Sequence, residues 1–257
     1  MDYGWVALIA LAVGLVGGYA GIAGAPFIIF ALLTFLDYSQ HSAQGTVLAM
    51  MIGPMTLLPV IYGRDIVKRR WQAILIAIIT YMVFSFAGAS IAYLFNSQIL
   101  RMIFGAMIIV VGIIYIVFSI RNHSSGNKKT QEKALTPASM ILAGSVMGFV
   151  GGIVGIGAGI LLIPYLTIVK KIEQKEAQTM SLAILLPPVS LGAVLRYGLM
   201  ANDIIWSVAG IMLVAYILSS GFGYKLNTRH HNTILRNVLG ILLISTGIVN
   251  IIMSTRI

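Results

Sequence analysis

The sequence predicts an all-α, polytopic membrane protein built from two inverted-topology repeats, and three observations predict it. Hydrophobic residues make up 59% of the 257 residues and charged residues only 9%, with a mean hydropathy of +0.97. A soluble domain carries about 25% charged residues. The apolar residues collect in long segments of bilayer-spanning length. The second half of the chain repeats the first.

The segments fall at roughly 6–36, 43–62, 72–95, 99–120, 138–169, 177–196, 204–223 and 233–253. The start, MDYGWVALIA, has no basic n-region and no small-residue cleavage site, so no removable signal peptide is expected. The first segment carries GLVGGYAGIAGAP, Gly14–Pro26. As one straight helix it would measure about 46 Å, against a hydrocarbon core of about 30 Å. It is therefore expected to split at its glycines into two helical pieces. The second segment is broken by Pro54, whose ring removes a backbone bond and frees a carbonyl one turn earlier. The third and fourth read as unbroken crossings, with Gly105 and Gly112 as packing residues.

RNHSSGNKKTQEKALTP, Arg121–Pro137, is the one long hydrophilic run. It reads as a cytoplasmic linker over 121–136, between repeats at 1–120 and 137–257. The fifth segment is again overlong and carries GFVGGIVGIGAG, Gly148–Gly159. The sixth is broken by Pro187 and Pro188, and the last two are unbroken, with Gly240 and Gly247 for packing.

The duplication is specific. A shift of 134 carries Gly14, Gly17, Gly18 and Gly21 onto Gly148, Gly151, Gly152 and Gly155. It also carries Ala43-Gln44 onto Ala177-Gln178 and Pro54 onto Pro188. A shift of 135 carries Trp71 onto Trp206, Tyr81 onto Tyr216, Gly88 onto Gly223 and Arg101 onto Arg236. Random apolar similarity would not keep Trp, Tyr, Arg and Pro in step. Those Trp and Tyr pairs read as core or interfacial anchors.

Basic residues choose the topology. If each overlong segment is a hairpin that enters and leaves by one face, each half has three full crossings and the second half is inverted. Three of the seventeen Lys and Arg residues then lie on one face and fourteen on the other, against ten and seven for eight plain crossings. The positive-inside rule favours the first arrangement, with both termini outside the cytoplasm of a multi-pass cell-membrane protein. The net charge of +10 is thereby explained without nucleic acid.

Inverted repeats would bring the two glycine breaks together from opposite faces. Half-helices beginning near Ala25-Pro26 and Ala158-Gly159 would aim N–H groups and partial positive charge at a central space, which suits an anion. The candidate substrate-binding residues are therefore Gly21, Ala23, Gly24, Ala25, Gly155, Gly157, Ala158 and Gly159 at the breaks. Gln44, Thr46, Gln178 and Ser181 join them from the neighbouring segments. Pro26, Pro54, Pro187 and Pro188 mark the helix breaks, and paired interruptions in corresponding places point to a transporter site. Tyr19 also lies near a break, and Arg196 stands at the outer face, either attracting anions or snorkelling.

Other chemistries are disfavoured. The acidic residues Asp2, Asp37, Asp65, Glu132, Glu173, Glu176 and Asp203 all lie at termini, loops or helix ends, so no core carboxylate balances a cation. The histidines, His41, His123, His230 and His231, are in loops, and there is no cysteine. HExxH, intramembrane aspartate pairs and GxSxG are absent, so no enzyme, metal site or cofactor is expected.

The doubled glycine pattern resembles the sulfite exporter TauE/SafE family of membrane transporters over nearly the whole chain. It stands here as Gly14-LVG-Gly18-YA-Gly21-I-AGA and Gly148-FVG-Gly152-IV-Gly155-I-GAG, followed by AQGTVLA and AQTMSLA. Ala23, Ala25 and Ala158 replace glycines of that pattern, while Val47 and Met180 leave one hydroxyl per half, Thr46 or Ser181. The resemblance implies movement of small organic or sulfur-containing anions, such as sulfite, thiosulfate, sulfoacetate or isethionate. The expected function is secondary transport by rocking of one half against the other, with or without a coupling proton or ion. An anion channel and a non-transporting scaffold are the alternatives.

Overall fold

The computed structural model describes residues 3–124, 134–157, 159–226 and 232–255, and every regular element among them is helical. The first half contains α1 (Tyr3–Ala20), α2 (Ala25–Phe35), α3 (Gln40–Met50), α4 (Leu57–Tyr62), α5 (Arg64–Ala92) and α6 (Ser97–Ser124). The second contains α7 (Pro137–Val154), α8 (Gly159–Pro164) with a π-helical turn Tyr165–Val169, and α9 (Gln174–Ile184). There follow α10 (Leu191–Val194) with a π-helical turn Leu195–Met200, α11 (Trp206–Leu226) and α12 (Asn232–Ser254). Linker residues 125–133, and with them Lys128 and Glu132, lie outside the described residues, as do Asp2, Ala158, His230, His231 and Arg256. Helix α6 runs one turn further into the hydrophilic run than the apolar pattern predicts.

Among the described residues, six helices are long and apolar enough to cross a membrane: α1, α5, α6, α7, α11 and α12. The chain is a multi-pass membrane protein. Its outward surface is apolar, with Val83, Leu142, Leu218 and Phe222 all exposed along their helices, as contact with lipid requires. Trp71 and Trp206 are exposed near the starts of their spans, where an amphipathic indole suits the interface.

The overlong segments do break at glycine. Gly21 and Gly155 have φ of 76° and 73°, a left-handed conformation that ends α1 and α7 and that a side chain would strain. Gly24, at φ 65°, precedes α2, and Pro26 sits in its first turn, where a missing N–H costs nothing. Each pair of pieces folds back on itself. Trp5, Leu8 and Ile9 of α1 line one apolar groove with Phe35 and Leu36, at the far end of α2. In the second half Tyr165 donates to Ser139 O at 3.3 Å and Lys170 to Ala134 O at 3.1 Å.

Three helix pairs dominate the packing, and all three join the two halves: α1 with α11, α5 with α7, and α6 with α12. Glycine makes the approaches possible. Gly14 and Gly18 meet Tyr216, Ser219 and Ser220, while Gly223 meets Leu15 and Tyr19, so α1 and α11 run parallel. Gly148 and Gly152 meet Tyr81 and Ser85, and Gly88 meets Phe149 and Ile153, so α5 and α7 do likewise. Helices α6 and α12 run antiparallel: a Cβ on Gly105 would lie 2.9 Å from Gly247 O, and one on Gly112 2.7 Å from Gly240 O. Such small-residue seams let apolar helices associate where lipid is no worse a partner than protein.

The bundle has two distinguishable ends. At one end the start of α3 meets the start of α6 (His41 Nδ1 to Ser97 Oγ, 3.1 Å). There too Tyr93 meets Asp203, and the start of α6 meets the end of α12 (Gln98 to Ser254 O, 2.8 Å). At the other end the start of α5 meets the start of α9 (Arg70 Nε to Glu176 Oε1, 2.6 Å), and α9 meets the end of α11 (Thr179 to Tyr224, 2.8 Å).

Candidate functional site

The two glycine breaks touch. A Cβ on Gly157 would lie 2.9 Å from the Cβ of Ala23, 2.8 Å from Met51 Cε and 3.4 Å from Leu185 Cδ2. Ala23 and Gly157 correspond under the shift of 134, and so do Met51 and Leu185, the residues that end α3 and α9. All four helix interruptions therefore converge on one point, which is apolar and closely packed.

Broken helices leave carbonyls without their usual donors, and buried carbonyls need partners. Hydroxyls from elsewhere in the chain supply them in corresponding sets. Tyr216 donates to Ile22 O at 3.1 Å and Tyr81 to Ile156 O at 3.3 Å. The N–H of Ile52 turns to Ala49 O and that of Leu186 to Ala183 O, which frees Leu48 O and Leu182 O. Ser190 and Thr56 donate to these, each at 2.8 Å. Ser220 donates to Met55 O at 3.1 Å and Ser85 to Val189 O at 3.4 Å. Thr56, Ser85, Ser190 and Ser220 were not among the sequence-predicted residues, although the same shifts that exposed the duplication pair Thr56 with Ser190 and Ser85 with Ser220.

The glutamines form two half-sites on either side of that apolar point. Gly21 packs on the stem of Gln178, whose Nε2 donates to Ala20 O at 2.9 Å, and Ser181 donates to Gly21 O at 3.2 Å. Gly155 packs on the stem of Gln44, where a Cβ would come 2.9 Å from that of the glutamine. Here the correspondence ends. Gln44 accepts from the Tyr197 hydroxyl at 2.9 Å, and its Nε2 has no hydrogen-bond partner among the described residues. Thr46 is turned away to accept from Ile205 N at 3.1 Å, just ahead of α11.

The structure thus brings Gly21, Gln178 and Ser181 together, sets Gly155 with Gln44, and joins Ala23 to Gly157. Ala25 and Gly159 begin α2 and α8. Gly24 packs against Val13, Pro54 and Pro187-Pro188 lie in the gaps after α3 and α9, and Ala158 is outside the described residues. Tyr19 is half-buried beside Gly223. Gln44, Thr46, Gln178 and Ser181 are all buried.

Formal charge stays at the two ends. Glu176 is buried but opens α9, paired with Arg70 at 2.6 Å and Arg69 at 3.8 Å. Asp203 accepts from the Tyr93 hydroxyl at 2.6 Å, and burial, followed by that bond and the Asp203 charge, pushes the phenol well above its ordinary pKa. Arg196 stacks on the Tyr93 ring at 4.3 Å. Among the described residues no group of three His, Asp or Glu could hold a metal ion. Among the described residues the middle carries neutral amides, hydroxyls and backbone, with no carboxylate to balance a cation, and the predicted site donor it leaves unpaired is Gln44 Nε2.

Comparison with known proteins shows the family. A probable membrane transporter protein of Methanocaldococcus jannaschii is 29% identical over 255 residues, covering 91% of each chain. Two probable membrane transporter proteins from strains of Xylella fastidiosa are each 25% identical, over 94% of this chain and 90% of theirs. No solved structure matches significantly. The family model of the sulfite exporter TauE/SafE matches residues 6–249, and the chain accordingly belongs to that family of membrane transporters.

Proposed function

We propose that the protein is a secondary transporter of small anions, organosulfonates or sulfur oxyanions, working by alternating access. The two half-sites, Gly21 with Gln178 and Ser181 and Gly155 with Gln44, bind the substrate in turn. One observation carries this reading: two glycine breaks meet in the bundle interior, each flanked by a buried glutamine and neither by a carboxylate. The close contact of Ala23 with Gly157 favours a carrier over a channel, because a pore needs a continuous passage where these two residues meet.

The pairing of ends supports an inverted topology with the termini outside. Arg64, Lys68, Arg69, Arg70 and Lys175 belong to the end where α5 and α9 begin, whereas the α3–α6 end carries Arg101 and Arg196. That is the asymmetry of cytoplasmic and outer faces.

Thermal unfolding of the purified chain across sulfite, thiosulfate, sulfoacetate, isethionate and simple carboxylates tests the reading. A substrate stabilises by RT ln(1 + [L]/Kd), so even a weak one raises the melting temperature at high concentration. The sulfur anions should shift the curve and the carboxylates should not; a flat response to every anion from monodisperse protein refutes the proposal.

A further inference from the structure

The starts of α3 and α9 occupy corresponding places but are finished differently. At α9 the polar groups are paired, Glu176 with Arg70 and Arg69, and Thr179 with the Tyr224 hydroxyl. At α3 four buried atoms have no hydrogen-bond partner among the described residues: Oε1 and Nε2 of Gln40, Nε2 of His41 and Nε2 of Gln44. Gln40 is 1% exposed and Gln44 0%. A buried amide left unpaired costs more than a made hydrogen bond returns, and folded proteins contain few. Three such side chains within five residues of one helix therefore mark a ligand's place.

The surrounding groups define its chemistry. Gln40 and Gln44 are one turn apart and share a helix face, the one on which Gly155 packs. Tyr197 donates to Gln44 Oε1, so the unpaired group of the Gln44 amide is its Nε2 donor. When the Ser97 hydroxyl donates to His41 Nδ1, at 3.1 Å, the imidazole proton sits on Nε2. The His41 ring stacks on Tyr93 with centroids 4.8 Å apart and lies 6.4 Å from Tyr197. Arg196 covers the Tyr93 ring, and the one carboxylate in this group, Asp203, is engaged by the Tyr93 hydroxyl. The sum is three donors and a guanidinium against a single unpaired acceptor, Gln40 Oε1.

We infer that the start of α3 is an anion-binding site that shares Gln44 with the Gly155 half-site and extends it by one helical turn through His41 and Gln40. A small oxyanion takes the N–H groups of Gln40, His41 and Gln44 with Arg196 at the rim. Gln40 Oε1 receives a hydroxyl carried by the same anion. This inference rests on the transporter reading and places a substrate contact at the end of the bundle where α3 and α6 begin. It also adds selectivity, because a site that holds a hydroxyl discriminates strongly against the analogue lacking it.

The test uses purified full-length protein, with isethionate and ethanesulfonate, alike except for the hydroxyl, as probes. Gln40→Leu removes an unpaired buried amide, so the ligand-free variant should melt higher than the parent. It should bind isethionate about tenfold more weakly and lose the preference for isethionate over ethanesulfonate. His41→Phe keeps the ring stack, removes a donor, and should weaken both anions alike. If the parent responds to these anions and both variants bind them unchanged, the site at α3 is refuted while the transporter reading survives. If the parent binds no anion in the wider panel, the transporter reading itself falls.

Discussion

The contrast between Gln44 and Gln178 shows what a single position can and cannot reveal. Both were legible as candidates because the shift of 134 sets them side by side in otherwise apolar segments. Their partners were not, since Gln178 meets a carbonyl 158 residues away, which no local pattern announces. The glycines are more predictable. Gly155→Ala imposes a left-handed strain of roughly 1–2 kcal/mol and crowds the Gln44 stem, so the melting temperature should fall. Gly210 offers the opposite case, with nothing within 4 Å of its would-be Cβ in the second turn of α11. Gly210→Ala should leave stability unchanged or raise it by up to ~1 kcal/mol. Tyr81→Phe and Tyr216→Phe each orphan a buried carbonyl and should cost about 1–3 kcal/mol, measured by thermal unfolding.

For whole elements, length and proline placement carried most of the information. Overlong segments, paired glycine clusters and paired prolines foretold the breaks after α1, α3, α7 and α9. Lengths of the pieces were less legible: α1 keeps 18 residues, and the segment expected to break at Pro54 divides into an α3 of 11 and an α4 of 6. The π-helical turns after α8 and α10 had no signal at all, because a wider turn depends on how the far end of the segment docks rather than on its composition. Gly105, Gly112, Gly240 and Gly247 were legible as packing residues, and the register of the α6–α12 seam they line supplies a sharp test. Gly112→Ile drives a branched side chain into the Gly240 carbonyl and the Ile244 side chain. It should reduce the yield of folded protein in membranes far more than Ile113→Leu, on the exposed face of the same turn.

The whole molecule is organised by correspondence between halves, which the sequence displayed openly in the matched Trp, Tyr, Gly and Pro positions. Correspondence does not say which residues touch, so the crossing of partners, α1 to α11 and α7 to α5, came only with the structure. Orientation is testable because the chain has no native cysteine. Single cysteines at Asp65 and Thr255, both exposed, should react with impermeant maleimide from opposite sides of intact cells or spheroplasts; reaction from the same side contradicts the inverted topology. The crossing of partners also governs assembly during synthesis. When residues 1–120 emerge, α1 lacks the helix it will lie against, and that helix, Trp206–Leu226, is made only after the linker and α7 to α10. Severed between Asn127 and Lys128, the two fragments should each be degraded when produced alone, yet accumulate and co-purify when produced together, each completing the other's unfinished surface.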